Sequence, residues 1–192
     1  LTSPTVLAGD AVIKGFVFRD DKGLHYSHGH WSVRSEAGRG WVSLKVGDAE
    51  FLSTTPNVGG IVFYRDGQWF TNFPDSSNIT HDSSVGRMGS VSDGIYAIRI
   101  SPSMKDGSFE LYGGHNDDRP AELVVFLADD VTATPHREGM VLKHKAGPTV
   151  KIHSQCEART MSDPAGKARS AVVFATRGFA ANSFELMPGD QR

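Results

Sequence analysis

Short runs of β-forming residues, separated by Gly, Asp, Asn and Pro, constrain the fold of this chain most strongly. No window shows a sustained apolar period of 3.6 residues, which argues against helices. Twelve runs fit strands, at residues 11–18, 25–35, 40–46, 60–65, 68–73, 95–100, 108–112, 122–128, 139–144, 149–154, 170–176 and 182–187. This spacing predicts an all-β fold, a two-sheet antiparallel β-sandwich of ten or more strands with very little helix.

The segment GIVFYRDGQWFTNF gives the firmest local prediction. Asp66 and Gly67 supply the two residues with positive φ that a type I′ hairpin turn needs, and strong β-formers flank them. Residues 74–94 are polar and rich in small side chains, which predicts a long loop of the functional kind. We expect a single domain over residues 1–192, with a minor subdivision near 130–138 as the alternative.

The charge balance argues against two classes of partner. Twenty Lys and Arg residues against 22 Asp and Glu residues give a net charge of -2, so no broad positive field favours nucleic acid or an anionic membrane. No apolar run approaches the roughly 18 residues that span a bilayer, so we expect no membrane span. The single cysteine, Cys156, excludes an intrachain disulfide, and its alternating strand pattern predicts a buried, unreactive thiol.

Histidines are concentrated in the stretch GLHYSHGHWSVRS. If this stretch is one extended strand, His28 and His30 lie on one face with Tyr26, about 6–7 Å apart, and His25 lies on the other face with Trp31. Two imidazoles at that separation can hold one divalent ion. A cupin-like metalloenzyme that uses His28 and His30 is therefore one alternative, with further ligands drawn from Glu36, His81, His136 and His153.

The preferred hypothesis needs no metal and no cofactor, and it treats the same face as a groove that handles sugar. Tyr26, His28, His30 and Arg34 are then the candidate catalytic residues. A His or Tyr would abstract the proton beside a uronate carboxylate, while Arg34 neutralises that carboxylate and makes the carbon more acidic.

Aromatic and arginine side chains supply the candidate substrate contacts. A Trp indole is a flat apolar plate that can stack on a pyranose ring, and a neighbouring Arg donates hydrogen bonds to hydroxyls or carboxylates. The candidates are Trp31, Tyr64, Arg65 and Trp69. The alternative for the aromatic residues is an ordinary core or cross-strand position.

Two pairs of adjacent carboxylates lie where turns are expected, in GGHNDDRP and FLADDV. Paired carboxylates can serve hydrolysis or hold calcium. Adjacent residues at a strand end point in different directions, however, so turn chemistry is the preferred interpretation. GGHNDD is the one stretch that places a histidine directly beside paired carboxylates.

Two segments resemble known families. FAANSFELMPGDQR, with Asn182, Phe184, Glu185, Leu186, Pro188, Gly189 and Asp190 in the pattern N-x-F-[DE]-L-x-P-G-[DE], resembles the closing immunoglobulin-like module of β-mannosidase-type glycoside hydrolases. HWSVRSEAGRGWVSLKV followed by NVGGIVFYRDGQWFTNF is similar in layout to the β-sandwich domains that follow the helical toroid of chondroitin, hyaluronan and heparin lyases, and ELVVFLADDVTATPH is similar to a later strand and turn of those domains.

Both resemblances imply a β-sandwich that binds or degrades a polysaccharide, as a lyase-type or hydrolase-associated module. The toroid is missing, which implies a part or a relative of a larger protein, with further domains or subunits as partners besides a carbohydrate polymer. An extracellular or periplasmic location is expected. The non-enzymatic alternative is a structural, adhesion or virion β-sandwich.

Overall fold

The structure, a computed structural model, describes residues 15–20, 23–36, 40–56, 59–70, 77–78, 85–91, 94–102 and 107–188. Its strands, numbered along the chain, are β1 Gly15–Asp20, β2 Gly23–His28, β3 Trp31–Glu36, β4 Gly40–Val46, β5 Ala49–Glu50, β6 Ile61–Arg65, β7 Gln68–Phe70, β8 Ser77–Asn78, β9 Val85–Val91, β10 Gly94–Pro102, β11 Ser108–His115, β12 Pro120–Phe126, β13 Val131–His136, β14 Gly139–His144, β15 Thr149–His153, β16 Glu157–Ser162, β17 Ala168–Arg177 and β18 Phe179–Leu186.

The strands form two antiparallel sheets, which confirms the predicted all-β sandwich. Within the described residues the larger sheet has ten strands in the order β1-β2-β3-β4-β6-β12-β17-β16, with β5 paired to β4 and β7 paired to β6. The smaller sheet has eight, in the order β13-β14-β15-β18-β11-β10-β9-β8. Across the same residues, no helix is long and apolar enough to span a membrane.

The main core lies between the two sheets and is rich in aromatic rings. Phe184 of β18 stacks on Phe109 of β11 at 4.8 Å between ring centroids. Trp31 of β3 meets Phe109 edge-on at 4.5 Å, and Phe174 of β17 lies 6.1 Å from Phe184. These rings join the larger sheet to the smaller one, because edge-on and offset contacts add to the free energy of burying large apolar surfaces.

A second apolar cluster lies on the outer face of the larger sheet, away from the main core. Its buried members come from the three central strands β6, β12 and β17, and we call it the outer cluster: Val62, Val124, Phe126, Ala171 and Val173. The outer cluster follows from strand periodicity. In β6, Ile61 and Phe63 project into the main core, and Val62 between them projects outward. The central strands are thus apolar on both faces.

The Asp66-Gly67 turn is confirmed, with φ of 50° and 79°, between Arg65 and Gln68 of the β6–β7 hairpin.

The predicted single strand over 25–35 is wrong. Gly29 and His30 form a turn between β2 and β3, and Gly29 has a φ of 56°. Because glycine adopts positive φ without steric cost, the chain reverses there instead of continuing as a strand.

The predicted loop over 74–94 is also wrong in its described part, because β8 and β9 lie within it and pair with each other. The strands β13 and β16 were not predicted either. β13 pairs with β14 over residues where a subdivision was the alternative, and it carries Pro135. Both are terminal strands of their sheets, where proline is tolerated. Because little of their surface is buried, their sequences lack an apolar alternation.

Replacing Phe184 by alanine tests the aromatic core. Phe184 is 1% exposed, so F184A should lower the free energy of unfolding by about 3–5 kcal/mol, the usual effect of truncating a buried Phe. F179A is the matched control, since Phe179 lies on the same strand but is 39% exposed, and it should lower the free energy by about 1 kcal/mol or less. Urea denaturation measures both; equal losses would contradict this assignment of the core.

Candidate functional site

The predicted catalytic residues do not share one strand face. Tyr26 and His28 lie on β2, His30 lies in the turn and is exposed, and Arg34 lies on β3. The H-x-H geometry expected for His28 and His30 is therefore not formed by an extended strand. The side chains of Tyr26 and His28 lie outside the described part of the structure, and their role stays a prediction.

Arg34 is half-exposed and paired with a neighbour. Its Nη2 donates a hydrogen bond to Oε1 of Glu36 at 2.7 Å, next to an irregularity in the β3–β4 pairing between Arg34 and Ser35. Glu36 was a candidate metal ligand, and here it is the partner of a guanidinium.

No three His, Cys, Asp or Glu side chains converge as a metal site in the described part of the chain. His81, one of the possible further ligands, lies outside the described residues. His153 is 2.6 Å from a carboxylate oxygen of Glu185, and the Nδ1 atom of His136 accepts a hydrogen bond from the backbone N–H of Glu138.

Two of the four predicted substrate contacts lie inside the protein. Trp31 is buried against Phe109, and Arg65 is buried with its guanidinium 5.4 Å from the centre of the Phe70 ring. Trp31 therefore lacks the open face that stacking on a sugar ring requires, and Arg65, which is 3% exposed, has little surface from which to donate to a sugar hydroxyl. The alternative interpretation, a core position, fits Trp31.

Tyr64 and Trp69 are the two predicted contacts that the structure brings together near the surface. They are cross-strand partners in the β6–β7 hairpin, with ring centroids 4.6 Å apart. Trp69 also lies 5.7 Å from Phe126, so its ring covers part of the outer cluster. The hairpin thus holds an aromatic pair over an apolar floor at the outer face of the larger sheet.

A network of one cation and two carboxylates lies on the same face. Arg159 of β16 donates from Nη2 to Glu122 of β12 at 2.6 Å, and its Nη1 atom is 2.9 Å from Glu157. Glu122 is the register partner of Tyr64, so the network adjoins the aromatic pair directly. The stem of Arg159 spans β17, which lies between β12 and β16.

These groups line two adjoining cavities that we together call the outer groove. The larger, of about 620 Å³, is lined by Tyr64, Gly67, Trp69, Glu122, Arg159, Met161, Ser162 and Asp163. The smaller, of about 380 Å³, is lined by Glu122, Gln155, Cys156, Glu157, Val173 and Ala175. Because Glu122 lines both, the cavities meet there, and their size suits a small-molecule or short oligomeric ligand.

The sequence did not single out the polar members of the outer groove. In EARTMS, residues Glu157, Arg159 and Met161 alternate at the period of a strand and so share one face. That alternation was the signal available in the sequence, but the run is short and polar, so it was not recognised as a strand.

A second polar cluster lies at the end of β11, in the GGHNDD stretch. His115 is buried, and its ring is stacked 6.2 Å from that of Phe63. Asp117 accepts a hydrogen bond from Nη1 of Arg65 at 3.1 Å, and it accepts others from the side chain and backbone N–H of Arg119. The hydrogen bonds from Arg119, reinforced by the nearby charges of His115 and Arg65, lower the pKa of Asp117 well below its usual range.

No protein-family model matches the chain, and no curated protein matches it in sequence. Solved structures do match it in fold. Heparinase III aligns with a TM-score of 0.56 at 9% identity, covering 93% of this chain and 36% of its own. The heparan sulfate lyase HepC from Pedobacter heparinus aligns with a TM-score of 0.54 at 12% identity, covering 98% of this chain and 38% of its own.

A mutant of HepC aligns with a TM-score of 0.56 at 11% identity. This chain therefore spans less than two fifths of the length of these proteins. At such identities the likeness is one of fold, and it agrees with the lyase-type sandwich expected from the sequence. The β-mannosidase-type strand and turn stays a prediction; its Asn182 and Phe184 lie on β18, and Gly189 and Asp190 lie outside the described residues.

The Asp117 network predicts a pH-dependent difference between wild type and D117N. A carboxyl with a lowered native pKa stabilises the fold above its unfolded pKa of about 4 and loses that effect as the pH falls further. D117N should therefore melt at a lower temperature than wild type at pH 7, and the gap should narrow below about pH 4. D118N, a change at the exposed neighbour, should leave the melting temperature unchanged; a gap that widens with acid would contradict the network.

Burial raises the pKa of the Cys156 thiol to about 11, so the thiol stays protonated at neutral pH. At pH 8 its reaction with a disulfide reagent should be roughly tenfold slower, or more, than that of a free cysteine, because the smaller thiolate fraction outweighs the greater nucleophilicity of each thiolate. The rate should still be rising at pH 10. Reaction at the rate of free cysteine would contradict an unreactive thiol.

Proposed function

We propose that this chain is the β-sandwich module of a polysaccharide-acting protein and that it binds a polysaccharide in the outer groove. The observation that carries the proposal is the aromatic pair Tyr64 and Trp69 beside the Glu122–Arg159 ion pair. Sugar rings have apolar faces that stack on aromatic rings and hydroxyl edges that hydrogen bond to charged groups. The outer groove offers both kinds of contact within one continuous surface.

The fold neighbours support the same class of function. Heparinase III and the heparan sulfate lyase HepC are named for polysaccharides, and both contain a region that folds like this chain. Since this chain spans well under half of either, we propose that it works together with further domains or subunits. An extracellular or periplasmic location belongs to the same proposal.

Elimination chemistry is a finer proposal that rests on Tyr26, His28, His30 and Arg34. For Arg34 to neutralise a uronate carboxylate, the substrate would have to replace Glu36, its present partner at 2.7 Å. Incubation with a panel of uronate polymers tests this directly, because elimination creates a conjugated double bond that absorbs in the ultraviolet. H30A and R34A should both lower the rate at which this absorbance appears. Absence of new absorbance across the panel would contradict elimination and leave only the binding proposal.

Replacing Trp69 by alanine tests the binding proposal. W69A removes the half-buried indole plate and should weaken polysaccharide binding about tenfold, the loss expected for one stacked aromatic ring. W69F keeps an aromatic ring over Phe126 and should retain most of the affinity. Affinity gel electrophoresis on a panel of neutral and acidic polymers measures both variants.

F179A is the control, since it removes an exposed aromatic ring from the other sheet and should leave binding unchanged. A melting curve for each variant separates lost affinity from lost folding. No binding to any polymer, or equal binding by wild type and W69A, would refute the proposal and favour a structural sandwich.

A further inference from the structure

We infer, on the basis of the proposed function, that the outer groove selects uncharged, hydroxyl-rich polysaccharides and discriminates against sulfated or uronate polymers. The inference comes from the charge of the groove itself. Its single described arginine is already neutralised by two carboxylates, and the surplus charge is negative.

The first step concerns Arg159. Its two terminal nitrogens are engaged separately, Nη2 by Glu122 at 2.6 Å and Nη1 by Glu157 at 2.9 Å. A guanidinium recognises a carboxylate or sulfate best by offering two parallel N–H groups to it. To be held by both terminal nitrogens in this way, an anionic sugar would have to displace at least one of these carboxylates, and the displaced carboxylate would stay beside it as a like charge.

The second step concerns the remaining charges of the groove. Asp163 lines the larger cavity, but its carboxylate is fully buried and bonds to Arg169, so the two cancel. Among the described lining residues this leaves Glu122 and Glu157 against Arg159, a net charge of one negative unit. Arg177 follows Ala175 on the same strand but is not among the lining residues.

The third step concerns access to solvent and ligand. The side chains of Glu122, Arg159 and Glu157 are 29%, 37% and 63% exposed. The free lone pairs of the two carboxylates can therefore accept hydrogen bonds from sugar hydroxyls without breaking the ion pairs. Glu122 is also the register partner of Tyr64, so a ring stacked on the aromatic pair would present its hydroxyl edge to a carboxylate.

The test compares neutral polymers, such as galactomannan, xylan and laminarin, with heparan sulfate, hyaluronan and alginate. Wild type should bind at least one neutral polymer, with an affinity that changes less than about twofold between 50 and 500 mM NaCl, since an uncharged ligand has no charge to screen. Acidic polymers should bind about tenfold more weakly at low salt, and the gap should narrow as salt screens the repulsion.

E157Q should weaken the contact at Nη1 of Arg159, because an amide oxygen accepts a weaker hydrogen bond than a carboxylate, and it should remove the surplus negative charge. Affinity for acidic polymers should then rise about threefold to tenfold at low salt. Affinity for the neutral polymer should change less than about twofold, because the glutamine amide still offers an oxygen acceptor to a hydroxyl. E110Q, which makes the same charge change at an exposed position of the smaller sheet, should have no effect on either.

The outcomes separate this inference from the proposed function. Tighter binding of acidic than of neutral polymers, lost in W69A, would overturn the charge selection and leave polysaccharide binding in the groove intact. Unchanged acidic binding in E157Q would also overturn it. Failure of every polymer to bind would overturn the proposed function and this inference together.

Discussion

Burial on both faces of the central strands is the constraint on which the rest of this structure depends. In β6, Ile61 and Phe63 fill the space between the sheets, while Val62 belongs to the outer cluster. Most antiparallel sheets cover one face and leave the other to solvent, so an apolar outer face needs a cover of its own. Trp69, held over Phe126 by the β6–β7 hairpin, supplies part of that cover, and the same residue is central to the proposed binding surface.

Arg159 supplies a further part of the cover in a different way. Its aliphatic stem can lie along apolar surface while its guanidinium stays in water, a division typical of long basic side chains. The guanidinium then meets Glu122 and Glu157 from either side. Partly exposed ion pairs contribute little to stability, so the consequence of this network is geometric. It fixes polar groups of both signs beside an aromatic platform.

Local patterns account for the part of the fold that was predictable from sequence. Apolar alternation in the sequence indicates the strands that are buried in the middle of a sheet. The Asp66-Gly67 turn is indicated by two residues that tolerate positive φ. The sheet-edge strands β13 and β16 bury one side at most, so their sequences resemble loops. Gly29 fits either a strand or a turn, and only the pairing of β2 with β3 decides between them.

The site was harder to predict than the fold, because its members are distant in sequence. Tyr64 and Trp69 were predictable, since a tight hairpin brings them together from five positions apart. Glu122 and Arg159 are 37 positions apart and meet only because β17 places β12 and β16 on either side of itself. A sandwich fold shared at 9–12% identity does not predict which side chains form such a surface. The proposed ligand therefore depends on which side chains this sequence projects outward from its central strands, and those include an aromatic pair and more carboxylates than cations.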